Sequence, residues 1–180
     1  MGVSKAAIEL AGRPLISYPL DAMAAAGLEP MVVAKEDTEL PGVSCRVLRE
    51  DDPRPHPATG ILAALEDVGG AVVVIACDMP FVPAQLLSAL GQLDAPIAVP
   101  MLDGAPQPLL ARYGPGVIPA LERAIERGEP LRATVSALDP LVLGPDELVG
   151  FGEPRRIAFN VNDRRDLAEA VRLMTPLPSR

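Results

Sequence analysis

The stretch Val72-Val73-Val74-Ile75-Ala76-Cys77-Asp78-Met79-Pro80 is an unbroken apolar run that ends in one carboxylate. Two glycines precede the run and a proline closes it, so it is too short for an independent helix and predicts a strand buried on both faces. Asp78 would then lie at the carboxyl end of the strand, the edge at which open parallel sheets bind their ligands. A carboxylate there is suited to holding Mg²⁺ beside a phosphate. The alternative is that Asp78 caps the helix that follows.

The size and composition of the chain narrow its class. Its 180 residues are enough for one domain with a full core and few for two, and a hydrophobic content of 49% excludes a disordered chain. No apolar stretch is long enough to cross a bilayer, and a net charge of −8 argues against a surface that binds nucleic acid. We therefore expect one domain over residues 1–174, a frayed tail at 175–180 and, without a signal sequence, a cytoplasmic location. Neither nucleic acid nor a membrane is expected as a partner.

Apolar runs alternate with helical patterns along the chain, which predicts an α/β domain with a mostly parallel sheet. The segment 51–59 contains three prolines and is predicted to be a loop. The predicted helices are 14–26, 60–67, 83–93, 115–127, 131–138 and 163–174. The predicted strands are 30–34, 45–48, the run that ends at Asp78, 96–100, 107–113, 141–143 and an edge piece at 157–161.

Two further groups could contribute to a phosphate or nucleotide site. Lys5 precedes the first helix, where an ammonium and helix N-terminal amides can both stabilise an anion. The alternative for Lys5 is an ordinary exposed lysine. The acidic cluster Glu50-Asp51-Asp52 follows a predicted strand, where carboxylates can accept hydrogen bonds from a base or a ribose; the alternative there is a solvated loop.

A pair of asparagines stands before the last predicted helix. Asn160 and Asn162 are two residues apart, so both side chains would face the same side of an extended segment. Asn162 or Asp163 could serve simply as the N-cap of that helix. Because Asn160 is not needed for capping, the pair also suggests a polar ligand pocket.

These stretches resemble, in the same order along the chain, motifs of the molybdenum cofactor guanylyltransferases and their nucleotidyltransferase relatives. The matching pieces are Met-Gly-x-x-Lys at 1–5, Gly-Arg-Pro-Leu at 12–15, a Gly-Ile turn at 57–61, Cys-Asp-x-Pro at 77–80, Gln-Pro-Leu at 107–109 and Asn-x-Asn at 160–162. The resemblance spans the whole chain. It implies a single-domain, Rossmann-like fold of the nucleotide-diphospho-sugar-transferase type, with helices on both faces of a mostly parallel central sheet.

The resemblance also implies a reaction, in which GMP passes from GTP to the terminal phosphate of molybdopterin and pyrophosphate is released with Mg²⁺ as cofactor. It implies GTP and molybdopterin as substrates and molybdenum cofactor insertion proteins as partners. The residues it assigns to catalysis are Lys5 and Asp78, with Asp78 as the metal ligand. Those it assigns to the nucleotide are Gly2, Lys5, Asp51, Gly60 and Asp78, and those it assigns to molybdopterin are Asn160 and Asn162.

The sequence departs from the family pattern in two places. The family has a first strand and a glycine-rich Leu-x-Ala-Gly-Gly-x-Ser-x-Arg loop before the Met-Gly piece, and this sequence begins at Met1-Gly2. We expect the true start to lie upstream. In addition, Ala34-Lys35 stands where some guanylyltransferases carry an asparagine that contacts the nucleotide. The alternatives are therefore a related enzyme that uses CTP or a sugar phosphate, and a non-catalytic remnant that binds the cofactor.

Overall fold

The computed structural model describes residues 5–174, so Gly2 and the predicted tail at 175–180 lie outside the described residues. The helices are α1 (Ser17–Ala25), α2 (Pro57–Val68), α3 (Ala84–Gln92), α4 (Ile118–Arg127), α5 (Leu131–Ala137), α6 (Pro145–Leu148), α7 (Pro154–Ile157) and α8 (Arg164–Met174). The strands are β1 (Glu9–Leu10), β2 (Arg13–Pro14), β3 (Met31–Lys35), β4 (Arg46–Glu50), β5 (Val72–Ile75), β6 (Ile97–Leu102), β7 (Ala105–Pro106), β8 (Leu110–Tyr113) and β9 (Leu141–Leu143). No helix between residues 5 and 174 is long and apolar enough to cross a membrane.

The larger sheet is mixed, and the predicted mostly parallel central sheet is not confirmed. Its order is β5-β8-β6-β7, with β9 also paired to β6. Only the β6–β9 pair is parallel in this sheet, whereas β8 runs antiparallel to both β5 and β6. The cause is the dipeptide Asp103-Gly104, in which both residues have positive φ (50° and 74°), as a two-residue hairpin turn requires. This turn reverses the chain after β6 and sends β8 back along it.

Helices cover both faces of the larger sheet, because alternate residues of its strands point to opposite sides. On one face, Ala98 and Leu110 pack with the buried leucines of α3. On the other face, Val99 and Ala111 pack with buried residues of α2 and α4. The completely buried Tyr113 belongs to this second cluster. The sheet thus forms the middle layer of the domain, as expected for an α/β fold.

One of two two-stranded sheets pairs β3 with β4 in parallel, and its register places Lys35 opposite Glu50. Within residues 5–174, no strand pairing joins this sheet to the larger one. A cavity of about 450 Å³ lies between them, lined by residues of β3 and by all four residues of β5. The prediction that the Asp78 strand is buried on both faces is therefore wrong, because β5 is an edge strand and its residues are only partly buried.

Two further predictions need correction near the ends of helices. The predicted loop ends earlier than expected, since α2 begins at Pro57, a helical position that tolerates proline. The edge strand expected at 157–161 is absent from the described chain, because α7 occupies Pro154–Ile157 and residues 159–161 pair with no strand.

Candidate functional site

Lys5, Asp78 and Asn162 meet in one cluster, although they are far apart in the sequence. The ammonium of Lys5 donates to Asp78 Oδ2 at 3.1 Å and to Asn162 Oδ1 at 2.8 Å. The Lys5 side chain is 45% exposed and that of Asp78 is 16% exposed, so the cluster is accessible from one side. The structure therefore combines a cation, an anion and an amide at one point of the surface.

The position of Asp78 follows from the segment after β5. The amide of Ala76 donates to the carbonyl of Leu109 at 2.8 Å, which continues the sheet contact beyond β5. The backbone carbonyl of Asp78 then accepts from the amide of Val161 at 2.9 Å, while its carboxylate binds Lys5. The alternative of Asp78 as a helix cap is wrong, because α3 begins only at Ala84.

Within the segment 158–163, the two asparagines have different hydrogen-bond partners. Its backbone is anchored by the buried Val161 and by Phe159, whose ring lies 5.7 Å from that of Phe81. Asn160 turns toward its own chain and donates from Nδ2 to the carbonyl of Ala158 at 2.7 Å. Asn162 contacts Lys5 instead. Asn160 and Asn162 therefore have different partners, and a polar pocket shared by both side chains stays a prediction.

The start of α8 explains why Asn162 is not used as a cap. Asp163 Oδ1 accepts from the amides of Arg165 and Asp166, at 2.7 and 3.0 Å. Asp166 Oδ2 in return accepts from the amide of Asn162 at 2.8 Å. This reciprocal arrangement resembles a capping box. Asp163 therefore caps α8, and the side chain of Asn162 binds Lys5 instead.

A cavity of about 560 Å³ extends from this cluster, with Lys5 and Asp78 in its wall. Gly60, which the family resemblance assigns to the nucleotide, also lines it. Asp51 is exposed and is not among the described residues that line this cavity. Asn160 and Asn162 are also not among the described residues that line this cavity. Asn162 is nevertheless hydrogen-bonded to Lys5, which does line it.

Sequence reasoning missed a second polar group in the same wall, formed by Lys35, Glu50 and Thr59. The Lys35 ammonium forms an ion pair with Glu50 Oε1 and lies 3.1 Å from Thr59 Oγ1. Thr59 Oγ1 is in turn 3.0 Å from Glu50 Oε1. The sequence shows a lysine and a glutamate near the ends of two predicted strands, but only the parallel β3–β4 register brings these side chains together.

The thiol of Cys77 lies beside Asp78 in the cavity wall. Burial raises the pKa of this thiol, the negative charge of Asp78 raises it further, and Lys5 opposes the effect. Cys77 is therefore protonated at neutral pH and is a poor nucleophile. The site chemistry consequently depends on its charged and amide groups.

The donor set fits a divalent cation that is shared with a substrate. Within residues 5–174, no group of three or more His, Cys, Asp or Glu side chains could hold a metal alone. Mg²⁺, however, usually takes one or two carboxylates and completes its shell with substrate phosphates and water. The partly exposed Asp78 carboxylate, with the Asn162 amide oxygen near it, offers the oxygen donors that such a site requires.

Comparison with known proteins gives consistent matches along most of the chain. A family model for the MobA-like NTP transferase domain matches residues 1–141. A molybdenum cofactor guanylyltransferase from Cereibacter sphaeroides is 30% identical over an alignment that covers 96% of this chain and 89% of that protein.

Solved structures share the fold. Molybdopterin-guanine dinucleotide biosynthesis protein A from Archaeoglobus fulgidus matches with a TM-score of 0.78 and 26% identity, over 96% of this chain and 91% of that one. 2-C-methyl-D-erythritol 4-phosphate cytidylyltransferase from Thermus thermophilus matches with a TM-score of 0.68 and 20% identity, over 94% of this chain and 92% of that one. At this lower identity the likeness concerns the fold alone.

Proposed function

The chain belongs to the MobA-like NTP transferase family, and we propose that it transfers GMP from GTP to the terminal phosphate of molybdopterin, releasing pyrophosphate. The observation that carries the proposal is the contact of the Lys5 ammonium with Asp78 and Asn162 at the wall of a large cavity. A volume of about 560 Å³ is within the range of small-molecule sites. The guanylyltransferase from Cereibacter sphaeroides supports the choice of donor and acceptor.

In the proposed reaction, an oxygen of the molybdopterin phosphate forms a bond to the α-phosphorus of GTP. The bond from that phosphorus to the bridging oxygen of the β-phosphate breaks, and pyrophosphate leaves with the electron pair. The acceptor is already an anion at neutral pH, so the protein has little proton transfer to perform. Alignment of the two phosphates and stabilisation of the developing negative charge must supply the rate.

Each residue of the cluster has a proposed part in that stabilisation. Lys5 binds triphosphate oxygens as a point charge. Asp78, with Asn162 beside it, would hold Mg²⁺, which as a Lewis acid neutralises charge on the phosphates. In the free protein Lys5 is paired with Asp78. A bound phosphate would give Lys5 a new partner, and a bound cation would give Asp78 one.

Asn160 and Asn162 are the residues proposed for molybdopterin. In the free protein, Asn160 donates to the carbonyl of Ala158 and Asn162 accepts from Lys5. Asn162 therefore stands at the junction between the phosphate site and any acceptor site. Asp51, which is proposed to read the ribose or the base, would need its exposed loop to approach the nucleotide.

The test is to incubate the protein with molybdopterin, Mg²⁺ and each nucleoside triphosphate in turn. We expect pyrophosphate release and a dinucleotide product with GTP, at a kcat/KM at least about tenfold above that with CTP, a discrimination of about 1.4 kcal/mol. Pyrophosphate release is measured by colorimetric phosphate detection after treatment with pyrophosphatase. The dinucleotide product is identified by mass spectrometry. A preference for CTP would show a different donor, and the absence of product with every nucleotide would favour the non-catalytic alternative.

Cys77 provides a second prediction about nucleotide binding. With Mg-GTP at about ten times its Kd, the alkylation rate of Cys77 by iodoacetamide should fall about tenfold, because only the unliganded fraction can react. Since its pKa is raised, alkylation of the free protein should accelerate as the pH increases above neutrality. Peptide mass spectrometry follows the modification.

Cys45 is the internal control for this experiment. It is not among the described residues that line the 560 Å³ cavity. Its alkylation should therefore be unaffected by Mg-GTP. Equal protection of both cysteines would indicate a general change in the protein, and unchanged labelling of Cys77 would contradict nucleotide binding in the cavity.

A further inference from the structure

The group formed by Lys35, Glu50 and Thr59 has contacts that go beyond an ion pair. Besides Glu50, the Lys35 ammonium is within hydrogen-bond distance of the carbonyl of Asp52, at 2.5 Å, and of the carbonyl of Arg54, at 2.9 Å. Four oxygens thus surround one ammonium, and two of them belong to the backbone of the loop that follows β4. Lys35 therefore ties this loop to the end of β3.

The ion pair does not repel or attract a substrate strongly, because its charges are matched. Glu50 is almost fully buried, with 7% of its side chain exposed, and it neutralises Lys35. Lys5, by contrast, remains 45% exposed. Phosphates entering the cavity should therefore go to Lys5, which leaves the part of the wall near Lys35 for the nucleoside.

The buried carboxylate of Glu50 carries an energetic cost. Among the residues that the structure describes, none donates a hydrogen bond to Glu50 Oε2. A buried ion pair is seldom more stable than apolar side chains of the same volume, since both charges lose their hydration. This cost is explained if the pair fixes a conformation that binding requires.

The loop itself is closed by local contacts and then held at two points. Arg54 donates from its amide and from Nε to Asp52 Oδ1, both at 2.9 Å, and these bonds hold the pKa of the Asp52 carboxyl below its usual range. His56 then joins the loop to α2, because its Nδ1 accepts from the amide of Ala58 at 3.2 Å. Lys35 holds the other end. Pro55 and His56, between these points, line the cavity.

We propose that Lys35, supported by Glu50 and Thr59, is a positioning residue: by binding the carbonyls of Asp52 and Arg54, it holds the loop so that Pro55 and His56 form the wall against which the nucleoside of the substrate packs. Lys35 acts through the loop and not on the transferred phosphate. Its loss should weaken nucleotide binding more than it slows the chemical step. The role in nucleotide binding rests on the proposed function, whereas the contacts of Lys35 with the loop do not.

The experiment uses the double variant Lys35→Met/Glu50→Leu in the full chain. Removing one partner alone would leave an unpaired buried charge and would endanger folding, whereas two apolar side chains of similar volume are usually tolerated. We expect the KM for GTP to rise about tenfold, equivalent to about 1.4 kcal/mol, with kcat changed by less than about threefold, the scatter usual for such measurements. The melting temperature should stay within a few degrees of the parent value.

A second ion pair between β4 and α2 gives a matched control. Arg46 binds Asp67 through two hydrogen bonds, and both residues lie away from the loop at 52–54. The variant Arg46→Gln/Asp67→Asn removes these charges and should leave the KM unchanged. An equal rise of KM in both variants would overturn the specific role of Lys35.

Hydrogen exchange provides a readout that does not depend on activity. In the Lys35→Met/Glu50→Leu variant, the amides of Asp52, Arg54 and His56 should exchange faster, while those of α4 remain as in the parent. If the parent is active and the variant keeps its KM, the positioning role is wrong and the proposed function stands. If the parent acts on no nucleotide, the proposed function fails, and unchanged exchange in the loop would overturn the loop contact as well.

Discussion

Replacement of Asp78 by Asn is expected to reduce Mg²⁺-dependent pyrophosphate release about 10²- to 10³-fold, the usual loss when one preorganised charge-stabilising group is removed. The substitution keeps the shape of the side chain but removes the negative charge that would hold the cation. The carboxylate is partly exposed, and within residues 5–174 its ion pair is with the exposed Lys5. Loss of such a surface pair costs less than about 1 kcal/mol, so the protein should remain folded. Initial rates at several Mg²⁺ concentrations measure the effect.

Asp94→Asn is the matched control, because Asp94 is an exposed carboxylate that does not line the cavity within the described chain. Its activity should equal that of the parent. The melting temperatures of both variants and the parent should agree within a few degrees. If Asp78→Asn retains activity within a few-fold of the parent, Asp78 is not the metal ligand and the proposed phosphate site must be placed elsewhere.

The sequence predicted most helices and strands, because their apolar periodicity is local information. It failed on strand direction, although the signal was present. Asp103-Gly104 stands between two apolar runs and is a strong indicator of a hairpin. The expectation of a mostly parallel sheet rested on the alternation of helices and strands and did not use this dipeptide. The prediction that β5 is buried on both faces failed for another reason. The burial of a strand depends on which strands lie beside it, and a local sequence pattern does not show this.

For the candidate site as well, the sequence showed the residue types but not their contacts. The types of residue suited to a phosphate site, Lys5 and Asp78, were visible in the sequence and in the family resemblance. Their contact was not, because it depends on folding segments that are 73 residues apart. The two asparagines could not be distinguished either, since local sequence does not show that Asn160 bonds to the carbonyl of Ala158 whereas Asn162 bonds to Lys5, which is 157 residues away. The Lys35 group needed the β3–β4 register, which periodicity alone does not supply.

The second large effect is expected for Lys5→Met, which should lower kcat/KM for GTP about 10²-fold, or about 2.7 kcal/mol of transition-state stabilisation. Methionine keeps most of the apolar stem but removes the charge that neutralises the triphosphate. The loss should appear in both KM and kcat, because negative charge is present in bound GTP and increases in the transition state. Lys5→Arg should restore part of the activity, since it returns the charge with a different geometry. Steady-state kinetics with purified variants measure these changes.

The two asparagines decide whether Lys5 acts alone or as part of the cluster. Asn162→Ala removes the amide that accepts from Lys5 at 2.8 Å, so the ammonium loses one of the two contacts that orient it. Its activity should therefore fall between those of the parent and of Lys5→Met, with KM for GTP affected as well as use of molybdopterin. Asn160→Ala leaves the cluster intact and should change the KM for GTP little. The opposite order, with Asn160 more important for GTP than Asn162, would mean that the contact between Asn162 and Lys5 has no part in nucleotide binding.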